Sequence, residues 1–267
     1  MNYVYNPCTN PWWNMALDEW LLHNGPDEPV FRLWRNEPSV IIGYNQVAEQ
    51  EVNLDYLRAH GIKLARRVTG GGAVYHDLQN LNYTFAGPIG FISSQASRPK
   101  GPKMHATPVR TQGLPTKTAK IDGFTAPIGA TLFAAALRSL GLPAELSGRN
   151  DIFLQGRKIS GYARSVWHNR ELVHGTLMYN VDIDTLTAAL NVEGSKLNRK
   201  GVASVRSRVT NVRDYLPQFA SLDAVEAALH EYLKSADGAE IRLSAADLAS
   251  IDTLASSKFA SEEWIYK

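Results

Sequence analysis

Cysteine is almost missing from this 267-residue chain. Cys8 stands alone, so no disulfide within the chain and no cysteine-based zinc cluster can form, and the reducing cytoplasm is the expected setting. Long apolar runs are missing too. No stretch of about 18 uncharged apolar residues occurs, and no basic segment leads into an apolar one near Met1, which argues against membrane spanning and secretion. There is no excess of one charge: 28 Lys and Arg against 26 Asp and Glu leave +2, too even for a nucleic-acid-binding surface. Also absent are a Gly-x-Ser-x-Gly elbow, a glycosidase-like carboxylate pair, and metal-ligand spacing among the seven histidines. Phosphate or adenylate chemistry is what remains.

What is present reads as intermingled helices and strands. Asn10-Pro11 opens a helix that Gly25 closes, and Val30–Trp34 and Ser39–Gly43 follow as strands. Asn53 caps a helix to His60, Gly61 stops it, and Ile62–Arg67 forms a strand running into Thr69-Gly70-Gly71-Gly72. Further strands are predicted at 73–75, 81–85, 151–154, 158–165 and 172–181, with Gln155-Gly156 as a hairpin turn. Helices are predicted at 126–140, 183–190, 222–234 and from Ser244, whose capping box includes Asp247. Residues 90–121 carry four prolines and an unbalanced set of basic residues, and are expected to be mobile or disordered. Without regular βαβ alternation the expected fold is α+β, a mixed, largely antiparallel sheet flanked by helices in one domain over 1–267.

Three segments carry candidate chemistry. In Arg66-Arg67-Val68-Thr69-Gly70-Gly71-Gly72-Ala73-Val74-Tyr75-His76-Asp77, a strand delivers two guanidinium groups to three glycines, whose backbone amides can approach an anion closely. The spacing is neither a P-loop nor a dinucleotide fingerprint, and three glycines alone equally fit a plain hairpin. In Gly156-Arg157-Lys158-Ile159-Ser160-Gly161, strand alternation puts Lys158, Ser160 and Tyr162 on one face, although a lysine beside a turn is commonly just solvated. In Leu172-Val173-His174-Gly175-Thr176, His174 and Thr176 share a face as pocket-lining candidates.

Taken together and in order, these segments resemble the lipoate–protein ligase A family. The match includes Asn80-Leu81-Asn82, Gly148-Arg149-Asn150-Asp151, Asn14-Met15-Ala16-Leu17-Asp18-Glu19, Val40-Ile41-Ile42-Gly43, Arg208-Val209-Thr210-Asn211 and Glu262-Glu263-Trp264. Most of the chain outside about 90–121 is covered. The resemblance implies the fold shared with biotin ligases, ATP and Mg²⁺ as cofactors, lipoate as substrate, and lipoyl-AMP as intermediate. It implies lipoyl-carrier partners such as glycine-cleavage H protein and the E2 subunits of 2-oxoacid dehydrogenases.

Carried over by position, Arg67 and Gly72, Ala73, Val74 and Tyr75 are expected to bind the nucleotide. Lys158 is expected to bridge the acyl carboxylate and the α-phosphate as the catalytic lysine. Gly71, His76, Ser160, His174, Thr176 and Gly43 are substrate-binding candidates, and Asp151 is a candidate for the metal or for holding Lys158. Trp34, Val40, Ile42 and Gly43 are proposed as the wall of an acyl tunnel. Related transferases use a cysteine nucleophile, but Cys8 lies outside every motif segment, which favours a ligase over a thioester-dependent transferase. Two-domain relatives carry an additional C-terminal domain. Its absence here is the expectation, leaving a separate accessory subunit as a further partner; the alternative readings are a cysteine-independent or partner-dependent lipoyl/octanoyl transferase and a non-catalytic lipoate- or lipoyl-AMP-binding module.

Overall fold

The side-chain oxygen of Asn10 accepts from the backbone N–H groups of Trp12 and Trp13, and Pro11 occupies the first helical position of helix α1, Pro11–Asn24. In the computed structural model described here, residues 1–89, 120–121, 124–147, 150–191 and 208–267 are described. The expectation of mobility for residues 90–121 falls almost wholly outside them.

Strand β1 is Asn2–Tyr3, β2 is Val30–Trp34, β3 is Ser39–Ile42, β4 is Lys63–Arg66, β5 is Val74–His76 and β6 is Asn80–Pro88. After a single helical turn at Ala48–Glu51, helix α2 covers Leu54–Ala59 and α3 covers Ile128–Ser139. Then come β7 (Ala144–Ser147), β8 (Asp151–Leu154), β9 (Arg157–Trp167) and β10 (Arg170–Met178). The chain closes through α4 (Ile183–Ala189), α5 (Leu222–Leu233), α6 (Ala245–Leu254) and α7 (Glu262–Ile265).

Seven strands form one sheet in the order β1-β2-β6-β10-β9-β8-β7, and β4-β3-β5 forms a smaller one. All pairs but β1–β2 and β3–β4 are antiparallel, the α+β arrangement that the absence of βαβ alternation predicts. Most boundaries fall within a few residues of expectation. Both β8–β9 turn residues, Gln155 and Gly156, have positive φ (50° and 76°), as a two-residue hairpin requires. Gly61 also stops α2 in the left-handed conformation, at φ 63°.

One apolar cluster packs α3 and α5 on one face of the large sheet, around Phe85, Phe133, Leu137, Leu177 and Leu229. A second packs α1 with α6 and Phe259 against β2, β4 and β10. A third lies outside the small sheet, around Val40, Ile42, Leu57 and Tyr75. The face of the large sheet that looks toward α1 and the small sheet carries the polar residues.

Candidate active site

Strand register assembles the site. Asn82 on β6 pairs with Trp34 on β2 and with Thr176 on β10, while Gly161 on β9 donates its N–H to Thr176 Oγ1 (3.3 Å) and pairs with Asp151 on β8. Two residues along lies a parallel row, Arg32, Thr84, His174 and Ala163. Because alternate residues share a face, Trp34, Asn82, Thr176 and Gly161 of the first row and His174 and Ala163 of the second floor one cavity of about 560 Å³ including its open mouth. Gly72, Ala73 and Val74 border it from above, and Met15, Trp34 and Ile41 supply apolar wall.

The glycine loop is held by Arg67 rather than merely flanked by it. Its Nη2 donates to the carbonyls of Gly70 and Gly72 (both 2.8 Å), Nη1 to Ile41 O (3.0 Å), and Nε to Thr69 Oγ1 (3.0 Å) and Gly70 O (3.2 Å). Burial lowers its pKa to about 10, which still leaves the group charged at neutral pH. The guanidinium thus folds the loop, with the remaining Nη1–H as its free donor. Gly71 has φ 97°, and a Cβ there would meet Arg67 Nη2 at 2.9 Å, so only glycine lets the loop close on its own arginine. At Gly70 and Gly72 a Cβ would meet nothing within 4 Å, leaving open backbone over the cavity.

Arg66 does not join this site. Alternation along β4 turns it to the other side, where Nη1 donates to the carbonyls of Gly43, Tyr44 and Gln46 and Nη2 to Ile265 O (2.6 Å). Of the two adjacent arginines, one organises the loop and the other ties β4 to α7.

Lys158 Nζ lies 2.7 Å from Asp151 Oδ1, with both side chains partly exposed. A Cβ at Gly161 would meet Lys158 Nζ at 3.1 Å and Cε at 3.2 Å, so this glycine is the floor on which the lysine rests. The expectation that Lys158 and Ser160 share a face needs correction. A bulge interrupts the β8–β9 register: Ile152 pairs with Ser160 but Phe153 pairs with Lys158, leaving Ile159 without an opposite number. That extra residue resets the alternation, so Gly161 sits under the lysine while buried Ser160 presents its hydroxyl to Tyr83, away from the cavity.

Two buried histidines hang on one donor-only group, Arg32, by separate hydrogen-bonded branches. Its Nη2 donates to Asn14 Oδ1, Asn14 Nδ2 donates to Asn36 Oδ1 (2.9 Å), and Asn36 Nδ2 therefore donates to His76 Nδ1 (3.0 Å). His76 carries its proton on Nε2. Burial, then Arg67 and then His174 push its pKa down to about 3, so the ring is neutral at physiological pH. From Arg32 the second branch runs through Asp18, 3.5 Å from Nη1, to His174 Nδ1 (2.8 Å), and His174 Nε2 meets Thr69 Oγ1 (2.7 Å). His174 thus donates at Nδ1 to Asp18, and the hydrogen bond between its Nε2 and Thr69 Oγ1 braces the glycine loop against the sheet.

Several expected site residues stand differently from their sequence reading. His76, His174, Thr176, Arg67, Lys158 and Gly72 to Val74 line the cavity. Tyr75 points its ring into the cluster outside the small sheet, so only its backbone faces the loop region. Val40 and Ile42 point the same way and the intervening Ile41 forms the cavity wall, because β3 alternates. A Cβ on Gly43 would lie 2.0 Å from Gly71 O, making it a seat for the loop rather than a tunnel wall. Asp18, Thr69, Asn82 and Gly161 also build the site or its support; each lies inside a motif segment of the sequence, but nothing in its local spacing marks it. Half-buried Cys8 is not among the cavity-lining residues.

A glycine loop, a lysine and an apolar wall around one cavity define a site for an anionic group attached to an apolar body. Residues 10–95 and 118–234 match the lipoyl protein ligase A/B catalytic domain, and the chain belongs to that family. It is 36% identical to lipoate–protein ligase 1 of Staphylococcus aureus over 98% of this chain and 71% of the relative. With the lipoate-protein ligase LplJ of Bacillus subtilis, identity is 33% over 100% of this chain and 73% of the relative.

Among solved structures, the bipartite lipoate protein ligase of Thermoplasma acidophilum, studied with its E2 lipoyl domain, superposes with TM-score 0.76 at 31% identity, covering 99% of this chain and 95% of that one. The T. acidophilum protein Ta0514 with bound lipoic acid gives TM-score 0.72 at 28% identity, covering 99% and 98%. A lipoate-protein ligase A bound with ATP gives 0.71 at 29%, also covering 99% and 98%.

Proposed function

We propose that this protein activates lipoate with ATP, forming lipoyl-AMP and pyrophosphate, and then transfers the lipoyl group to a lysine of a lipoyl-carrier domain. One observation carries the reading: Lys158, itself paired with Asp151, and the open backbone of Gly72 line one cavity with an apolar wall. The ATP-bound and lipoic-acid-bound structures that this chain resembles support the two substrates. The E2 lipoyl domain of the T. acidophilum system supports the acceptor class, and that ligase's bipartite build supports an accessory polypeptide as a further partner.

In the first step a carboxylate oxygen of lipoate bonds to the α-phosphorus and the bond to the pyrophosphate oxygen breaks. Two anions must meet, and the ammonium of Lys158 would contact both and offset charge that develops in the transition state. The loop, its carbonyls held back by Arg67, offers backbone N–H groups to the nucleotide. In the second step the acceptor amine attacks the acyl carbonyl and AMP departs. Met15, Trp34 and Ile41 keep water from the anhydride in the interval.

Among the described residues no three His, Cys, Asp or Glu side chains gather as a metal cage. A Mg²⁺ held chiefly by substrate phosphates needs only one or two protein carboxylates, and Asp151, on releasing Lys158, would be that carboxylate. When bound, the ion screens the β- and γ-phosphates and eases departure of pyrophosphate.

The experiment is incubation with lipoate, ATP and Mg²⁺, with and without apo carrier domain, measuring pyrophosphate and lipoylated carrier. ATP-dependent pyrophosphate release by the wild type, abolished in Lys158→Ala, is expected. Acyl transfer from a carrier thioester without ATP, or normal turnover in Lys158→Ala, would overturn the reading. Tight lipoyl-AMP binding with no chemistry would establish a binding module instead.

A further inference from the structure

Two buried donors in the cavity have no acceptor among the described residues. They are His76 Nε2, which the Arg32–Asn14–Asn36 chain fixes as an N–H, and Asn82 Nδ2, whose amide is oriented by Asn80 Nδ2 donating to Asn82 Oδ1 (2.9 Å). Their residues are 3% and 1% exposed, and both line the cavity. Both flank Trp34: Asn82 is its strand partner, and the His76 ring stands edge-on to the indole with centroids 6.2 Å apart. Leaving a buried donor unmatched is costly, so such a pair persists where a ligand supplies the acceptor.

The pair also lies far from the lysine. Lys158 rests over Gly161 on β9, and Asn82 is on β6, two strands away, roughly 10 Å at the usual interstrand spacing. An acid held by its carboxylate at Lys158 and lying across the strands brings its far end to Trp34, Asn82 and His76. That end of a simple alkyl acid is a methyl group, which accepts nothing. In a dithiolane it is a pair of sulfurs, polarisable weak acceptors of the kind a neutral N–H can meet.

We propose that His76 Nε2–H and Asn82 Nδ2–H form a tail-recognition subsite that selects an acid ending in a cyclic disulfide over one of equal shape without sulfur. This rests on the acyl-binding reading given above and adds a specificity element to it. His174 is excluded from the role because Thr69 already occupies its Nε2.

The test is calorimetric binding of lipoate and of its carbocyclic counterpart, 5-cyclopentylpentanoate, to the full chain. The two share carboxylate, chain length and ring shape and differ in the sulfurs. Lipoate is expected to bind about tenfold tighter to the wild type, a modest margin suited to weak sulfur acceptors. In Asn82→Leu the gap is expected to shrink to about twofold or less. Equal binding of the two acids by the wild type overturns the proposal and needs no variant, and so does an undiminished gap in folded Asn82→Leu. Equal binding accompanied by normal pyrophosphate release removes the subsite and leaves the ligase reading intact. Unequal binding without pyrophosphate release does the reverse, and binding of neither acid removes both.

Discussion

The ammonium of Lys158 sits 2.7 Å from Asp151 Oδ1, resting on Gly161, a residue at which any β-carbon would lie 3.1 Å from that same nitrogen. The glycine sets the height of the lysine above the sheet, and the carboxylate sets its direction. Gly161→Ala should therefore displace the lysine without unfolding the protein, because the clash falls on the end of a flexible side chain. Adenylation should fall by about tenfold or more, with the melting temperature nearly unchanged. A variant with normal pyrophosphate release would show that the lysine's position is not set by this floor.

Gly71 and Gly72 are neighbours with opposite tolerances. Gly71→Ala meets both a positive φ of 97° and the guanidinium of Arg67 at 2.9 Å, and should cost about 1–3 kcal/mol of stability. Gly72→Ala meets nothing in the protein, so it should melt near the wild-type temperature. Any loss of ATP affinity in Gly72→Ala then reports crowding of the nucleotide rather than damage to the loop. Denaturant titrations of the two variants, with ATP binding measured alongside, check the pair.

Arg32 is buried and anchors both histidine branches through Asn14 and Asp18. Lysine keeps the charge but not the fork, and cannot donate to both partners in the same geometry. Arg32→Lys should lose about 3 kcal/mol, in the range seen when one partner of a buried charge network is removed. At about 2–4 °C per kcal/mol for a chain of this size, thermal melting should reveal a drop of several degrees. A melting temperature equal to the wild type would show that the network is not structural.

His76 stays neutral in the fold down to about pH 3, whereas an unfolded histidine protonates near 6.5. Between those values the unfolded chain binds the extra proton, so the stability contribution present above pH 6.5 is lost as pH falls toward 3. Its slope is at most about 1.4 kcal/mol per pH unit. Urea unfolding at pH 7 and pH 5 should show a smaller acid-induced loss for His76→Phe than for the wild type. Identical losses would mean that His76 is protonated, or free to become so, in the fold.

Much of the fold was legible because its signals are local. The Asn10-Pro11 helix start, the Gly61 stop, the Gln155-Gly156 turn and the Ser244–Asp247 capping box each follow from side-chain geometry within a few residues, and each is found. The edge strand Ala144–Ser147 and the short helix Glu262–Ile265 carry too little local signal of that kind. One depends on its pairing with β8, and the other docks on Arg66.

Within the site, the sequence by itself determined the chemical cast: a glycine loop beside arginines, one lysine after a hairpin, a strand histidine, and no usable cysteine. It could not decide which groups act and which support. Two adjacent arginines look equivalent until β4 turns Arg66 to the α7 carbonyls and Arg67 to the glycine loop. Ser160 shares a face with Lys158 by simple alternation, until a one-residue bulge sends it toward Tyr83. The unmatched donors of His76 and Asn82 exist only because hydrogen bonds starting 44 residues away, at Arg32 for the first, and two residues away, at Asn80 for the second, fix which atom holds a proton. Residue types and their spacing are written in the chain, but face, tautomer and partner are settled by contacts between segments far apart in it, and only the packed structure holds those.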